Sequence, residues 1–211
     1  MKILTRAFPT VLFLLATSQL IFAQDLTLRG RSGLELSFGF WGGSNASKTI
    51  TSSGVQQEAV SSGFTGSMLY SYGMREHLAI TLSIGFLGGK ASSTMSPTEF
   101  HQQASTVVPV LVGVRYYIAE PTPDDMVRLF LAASVGSFVG LEATNAELRQ
   151  EARSESTFGT HVGAGIDFFL STHFKLLATA GYNLMSDFKT PVGARANYNG
   201  GYLSAGFGYV F

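Results

Sequence analysis

Apolar residues alternate with small or polar residues along eight stretches of the chain, and a period of two residues predicts β-strands. In each stretch only one face is continuously apolar, as Leu34, Leu36, Phe38 and Phe40 are in the first. The chain is therefore predicted to be all-β. The predicted strands cover 34–41, 64–72, 78–86, 108–118, 127–139, 158–168, 174–182 and 202–211.

The connections between these strands alternate between long and short. The long ones are polar and cover 42–62, 88–104, 141–155 and 185–197, and part of the third, Asn145 to Arg153, is predicted to form a brief helical turn. Transmembrane barrels of the bacterial outer membrane have short periplasmic turns and long extracellular loops. We therefore predict an eight-stranded antiparallel up-and-down transmembrane β-barrel with four extracellular loops. A water-soluble lipocalin-like barrel or a β-sandwich is the alternative.

Composition favours the membrane. Charged residues make up 13% of the chain, against about 25% in soluble domains. The apolar faces carry no Lys, Arg, Asp or Glu, as expected if a basic residue on the lipid face costs about 2 to 4 kcal/mol at the bilayer midplane. Aromatic residues cluster near both ends of the predicted strands, as in the aromatic girdles of such barrels. Fourteen basic and fourteen acidic residues cancel, so a nucleic-acid partner is not indicated.

The first residues have the features of a secretory signal. Lys2 and Arg6 precede a short apolar run, and Ala23 is a suitable cleavage position. The run falls short of the ~20 apolar residues of a spanning helix, which disfavours the alternative of a retained anchor. We expect a signal peptide at 1–23, a barrel domain at 24–211 and a location in the bacterial outer membrane.

The predicted inward faces carry five charged residues, all toward the strand ends that meet the short turns. Because an isolated ion in a narrow barrel is costly, they are predicted to form a network. The network would be either a structural plug or the electrostatic gate of a small-solute pore. The five residues are Glu35, Arg115, Arg128, Asp167 and Lys175.

Candidate chemistry is sparse. His161 is the only histidine within a predicted strand, and although Ser134 on a neighbouring inward face is in reach, no third catalytic group is indicated. His77, His101 and His173 lie in turns or loops without metal-ligand spacing. No phosphate-binding loop, dinucleotide fingerprint or nucleophile elbow is present. We expect no catalytic, cofactor-binding or metal-binding residues, and a protein that is not an enzyme.

Three motifs resemble the family of small outer-membrane β-barrel proteins that includes the OmpA-type barrel domains and the opacity-like, porin-like adhesins. They are Gly113-Val114-Arg115-Tyr116-Tyr117, Gly181-Tyr182 and the final Gly206-Phe207-Gly208-Tyr209-Val210-Phe211. The resemblance implies that Phe207, Tyr209 and Phe211 form a C-terminal signal for the barrel-assembly machinery.

The same resemblance implies the remaining partners and the role. The partners are outer-membrane lipid and lipopolysaccharide, periplasmic chaperones during biogenesis, and an extracellular ligand of the loops. The implied role is surface interaction, such as adhesion, or envelope integrity, and a small-solute pore is the alternative. A lipid A-modifying enzyme is less favoured, because lipid A deacylases carry a His-x-Ser motif that His101, His161 and His173 all lack.

Overall fold

The computed structural model of the chain describes residues 28–50, 56–88, 91–96, 99–118, 126–146, 149–193 and 195–211. The predicted signal peptide, 1–23, lies outside these ranges. Among the described residues, no helix is long and apolar enough to cross a membrane. The alternating stretches form nine strands: β1 (Ser32–Ile50), β2 (Gln56–Arg75), β3 (Leu78–Leu87), β4 (Ala91–Ser96), β5 (Glu99–Tyr117), β6 (Val127–Ala146), β7 (Arg149–Phe169), β8 (Phe174–Met185) and β9 (Gly200–Val210).

The sheet closes on itself. Each strand pairs antiparallel with its neighbour, and β1 pairs with β9 from Gly33 opposite Val210 to Gly43 opposite Gly200. Strands β3 and β4 both pair with β5, so together they occupy a single position in the wall. The nine strands therefore build a closed barrel of eight strand positions, which confirms the predicted up-and-down barrel.

The apolar faces point outward. On β8, Lys175 and Leu177 are buried inside the barrel, while Phe174 and Leu176 between them are exposed on the outer wall. Phe38 and Phe40 on β1 are 60% and 65% exposed. A continuous apolar surface of this size is typical of contact with lipid or with another protein rather than with water.

The strands are longer than the sequence predicts, because polar residues continue several of them beyond the apolar band. Asn145 to Arg153 is such a case, and its predicted helical turn is wrong. The described part of this stretch is a strand hairpin in which Glu142 pairs with Arg153 and Ala146 with Arg149. Continuous pairing between β6 and β7 gives the backbone of the described residues in this stretch a partner on the opposite strand. This pairing prevails over the local helical signal of an Asn cap.

Two groups of buried side chains divide the interior. The turn end is the rim at the short connections, where Leu28, Tyr117 and Phe130 pack together. The loop end is the rim at the long connections, where a larger apolar group fills the lumen. Its members are Trp41, Leu87, Val107, Leu111, Phe138, Met185, Phe188, Val192 and Tyr198.

Candidate functional site in the barrel interior

Four of the five predicted interior charges meet at the turn end. We call Glu35, Arg115, Asp167 and Lys175 the ion-pair cluster. Arg115 donates two parallel hydrogen bonds to Glu35, from Nη1 to Oε1 at 2.6 Å and from Nη2 to Oε2 at 2.8 Å. Lys175 Nζ lies 2.6 Å from both Glu35 Oε1 and Asp167 Oδ2, and Arg115 Nη1 lies 3.6 Å from Asp167 Oδ2. Two acids and two bases thus neutralise one another where almost no water reaches.

Arg128, the fifth predicted charge, is also buried at this end. Its guanidinium lies over the ring of Phe169, 4.8 Å from the ring centroid, and its cross-strand neighbour is Asp167. Stacking on an aromatic face stabilises a guanidinium that has little contact with water.

Aromatic side chains complete the turn-end plug, by which we mean the ion-pair cluster together with Leu28, Tyr117 and Phe130. Tyr117 donates a hydrogen bond of 2.9 Å to Asp167 Oδ2, and the Arg115 guanidinium lies 4.1 Å from the centroid of Phe130. The alternation predicts inward positions for Tyr117 and Phe130 but not these contacts. Leu28 lies before the first predicted strand, where no periodicity indicates its burial.

A small polar cavity lies above the turn-end plug. Its volume is about 100 Å³, and its lining includes Ser134, His161 and Tyr202. His161 Nδ1 lies 3.1 Å from Asn183 Oδ1, and Tyr202 Oη lies 3.0 Å from His161 Nε2. An amide and a phenol therefore engage both ring nitrogens.

His161 is not arranged as a catalytic base. Ser134 is its cross-strand neighbour, but the described residues show no hydrogen bond between the two. A nucleophile activated by a histidine needs that contact and a third group that orients the base. Within the described ranges no three His, Cys, Asp or Glu residues group as metal ligands.

The connection between β8 and β9 folds into the loop end. We call residues 186–193 and 195–199 the mouth segment; Phe188, Val192 and Tyr198 within it are buried against the barrel wall. A tight turn at Gly193, with φ of 58°, lets Val192 and Arg195 bond to each other through both backbone groups. Tyr198 donates a hydrogen bond of 3.0 Å to the Val192 carbonyl. The mouth segment and its apolar neighbours form the loop-end plug.

The sequence pattern predicts a polar extracellular loop at 185–197 and does not indicate the plug. The available signal was the presence of Phe188, Val192 and Tyr198 among polar residues. Because their spacing follows neither a strand nor a helix, it does not indicate the direction of the side chains.

Arg195 is the buried cation of the mouth segment, with only 5% of its surface exposed. Its guanidinium lies 5.1 Å from the ring of Trp41 and 5.3 Å from the ring of Tyr198. Burial lowers the pKa of Arg195, while the neighbouring Tyr198 opposes that shift. Burial raises the pKa of Tyr198, because it disfavours the charged phenolate. Nη1 and Nη2 of Arg195 and Nε1 of Trp41 are enclosed and have no hydrogen-bond partner among the residues that the structure describes.

The residues of the predicted assembly signal lie on the outer wall. Phe207, Tyr209 and Phe211 are all exposed there. Tyr209 packs against Phe174 at 5.1 Å and against His173 at 5.7 Å between ring centroids. The backbone of Phe211 exchanges two hydrogen bonds with Ser32 and so closes the last rung between β9 and β1.

Residues 10–211 match the family described as outer membrane protein beta-barrel domain. Similar solved structures include Ail, the attachment invasion locus protein of Yersinia pestis, at 17% identity and a TM-score of 0.50, covering 87% of this chain and 99% of that one. Neisserial surface protein A has 18% identity and a TM-score of 0.54, with coverage of 87% and 100%.

OprG from Pseudomonas aeruginosa has 15% identity and a TM-score of 0.54, with coverage of 88% and 97%. No curated protein sequence matches the chain. At these identities the likeness concerns the fold, and it confirms the small closed barrel predicted from the sequence.

Proposed function

This chain belongs to the outer membrane protein β-barrel domain family, and from this premise we propose that it is a non-enzymatic, non-conducting barrel of the bacterial outer membrane. Its task is to present the long connections at the cell surface for interaction or envelope integrity. The turn end then faces the periplasm and the loop end faces outside.

The closure of the lumen at both ends is the observation that carries this proposal. The ion-pair cluster, at most 3% exposed, fills the periplasmic end, and Trp41 and Phe138, at most 1% exposed, lie in the plug at the outer end. The cavity between them has a volume of about 100 Å³. A solute path would require both plugs to move.

The strands that project beyond the apolar band support a role in presentation. Strands β6 and β7 pair without interruption up to Ala146 and Arg149. On the β6–β7 hairpin, Arg153 forms an exposed ion pair with Glu155 at 2.9 Å. A paired hairpin holds such side chains in a fixed arrangement, which favours binding at low entropic cost. Two of the structural neighbours are named an attachment protein and a surface protein, and a surface role is our proposal for this chain too.

The enzymatic alternative has little support. The hydrogen-bond partners of His161, the best candidate base, are Asn183 and Tyr202. Both lie inside the lumen, where the acyl chains and headgroup of a lipid substrate do not reach while the mouth segment is in place. Identical mass spectra of lipid A from cells with and without the protein are the expected result.

Single-channel recording in planar bilayers tests the proposal. The purified, folded protein is expected to give no stable conductance steps, and bilayers containing it must conduct once a known porin is added. Stable steps whose size changes in Arg115→Ala or Arg128→Ala would assign the pore function instead. Folding is checked by the faster gel migration of the unheated protein.

Export and assembly belong to the same proposal. We propose cleavage of the signal peptide after Ala23, passage with periplasmic chaperones, insertion by the barrel-assembly machinery, and contact with lipid and lipopolysaccharide. The expected result is fractionation with outer membranes and a mature sequence that begins at Gln24. A periplasmic location with equal migration of heated and unheated samples would contradict it.

A further inference from the structure

The chain treats its buried cations differently at its two ends. At the periplasmic end, Arg115 and Lys175 lie within 4 Å of Glu35 and Asp167. At the outer end, the buried Arg195 forms no ion pair or hydrogen bond through Nη1 or Nη2 within the part of the chain that the structure describes. Arg115 and Lys175 therefore have counter-charges within the protein, whereas Arg195 has none among the residues that the structure describes.

Trp41 adds a third donor without an acceptor. Its indole Nε1 is enclosed and makes no hydrogen bond within the described ranges, and its ring lies under the Arg195 guanidinium. The faces of Trp41 and Tyr198 stabilise the positive charge, but they do not accept the N–H groups as a carboxylate would. Buried donors normally have partners, and unpaired ones are costly. Two adjacent side chains thus leave three buried donors and one positive charge in need of acceptor oxygens.

We propose that Arg195 and Trp41 form an oxyanion-binding site at the outer mouth of the barrel, for a phosphate or sulfate ester group. A guanidinium binds such a group through two parallel hydrogen bonds, which matches the two unpaired terminal nitrogens. A nearby indole N–H supplies a further donor. The orientation of this site rests on the proposed function, in which the loop end faces outside. Its ligand therefore comes from the cell exterior or from the outer leaflet of the membrane.

The mouth segment controls access to these donors. It encloses all three nitrogens, and Arg195 itself belongs to it. An anion therefore enters when the segment shifts outward, and it contacts Arg195 and Trp41 together once the segment has returned. Phe188, Val192 and Tyr198 anchor it by apolar packing. Hydrogen bonds also tie it to the barrel, such as Ser186 N to Phe158 O at 3.0 Å and Thr157 Oγ1 to Ser186 O at 3.1 Å. Its opening is a local event that leaves the strands paired, and local opening costs less free energy than global unfolding.

Trp41 is the only tryptophan of the chain, so its fluorescence reports this site directly. Sodium sulfate and sodium phosphate are titrated into the folded protein in detergent micelles at constant ionic strength, with sodium chloride as the reference. A saturable change with sulfate or phosphate is expected, and chloride should give none. Arg195→Gln should weaken the response by about tenfold or more, because the positive charge and its paired donors are lost.

Two further variants separate binding from folding. Lys189→Gln removes an exposed cation from the same segment and should respond as the original protein does. Arg195→Lys keeps the charge but loses the paired donors, and should respond more weakly than the original and more strongly than Arg195→Gln. All variants must show the gel migration of the folded barrel. The site would be overturned if the original protein showed no fluorescence change with sulfate or phosphate. A response of Arg195→Gln equal to that of the original protein would overturn it too.

The source of the anion is then identified with two probes. Lipid A in mixed micelles presents phosphate from the membrane plane, and a soluble sulfated disaccharide presents sulfate from outside. A response to either that Arg195→Gln weakens supports the site and names the source. Conductance separates this inference from the proposed function: a closed barrel without an anion response refutes only the site, and a conducting barrel with a response refutes only the closure.

Discussion

Lys175 is the side chain on which the ion-pair cluster depends most, because its ammonium contacts both carboxylates at 2.6 Å. Replacing it with Met removes one charge and deprives both Glu35 and Asp167 of the ammonium that they share. Breaking a buried pair in this way costs about 3 to 5 kcal/mol. We expect Lys175→Met to lower the free energy of unfolding in lipid vesicles by that amount, as measured by urea titration.

The matched controls for Lys175 come from the same chain. Lys189→Met alters an exposed lysine and should change the free energy of unfolding by at most about 0.5 kcal/mol. The double variant Lys175→Met, Asp167→Asn removes one charge of each sign and should lose less stability than the two single changes added together. Strict additivity would show that the cluster is not coupled.

The period of two residues predicted the side of the wall on which each interior charge lies, because a side chain on a strand can point to only two faces. It did not predict that Lys175 contacts both Glu35 and Asp167, since such contacts depend on the stagger between strands and on side-chain length. Nor did it predict the contribution of the mouth segment or of Leu28. Both lie outside regular strands, where neither backbone pairing nor a repeat fixes the direction of a side chain.

At the scale of elements, the seam between β1 and β9 depends on glycines that let the two backbones approach. A Cβ at Gly39 would collide with the Leu203 carbonyl, and one at Gly206 with the Leu36 carbonyl, whereas one at Gly42 would meet nothing within 4 Å. We expect Gly39→Ala and Gly206→Ala to reduce the folded, fast-migrating fraction on unheated gels. Gly42→Ala on the same strand is the control and should match the original protein. Equal yields for all three variants would show that the seam tolerates side chains.

The end of β9 allows assembly to be separated from stability. Phe211 is 59% exposed on the outer wall, and its bonds to Ser32 come from the backbone. Phe211→Ala should therefore leave the folded barrel nearly as stable but lower the amount that reaches the outer membrane, if the assembly machinery reads the side chain. Leu203→Ala, which truncates an equally exposed side chain on the same strand, should keep a normal yield. The yield is measured by fractionation, and stability by unfolding of the refolded protein.

At the scale of the whole molecule, the two plugs act in series along one lumen. The conductance of a pore is limited by its narrowest point, so an opening at one end leaves the other end closed. The turn-end plug consists of long side chains on the wall, whereas the loop-end plug includes a connection that folds inward. The first therefore opens only by changes within the barrel, and the second by displacement of the mouth segment.

This series arrangement predicts a non-additive effect on conductance. Replacing residues 187–198 with a Gly-Ser linker of the same length removes the mouth segment's part of the loop-end plug, and Tyr117→Ala with Phe130→Ala widens the periplasmic end. Each change alone should leave planar bilayers silent, because the other plug remains. The combined variant should give stable steps, small because the ion-pair cluster still narrows an eight-stranded lumen. Conductance steps from the linker variant alone would show that the periplasmic end is permeable. If the combined variant folds but gives no conductance steps, the remaining block is assigned to the ion-pair cluster itself.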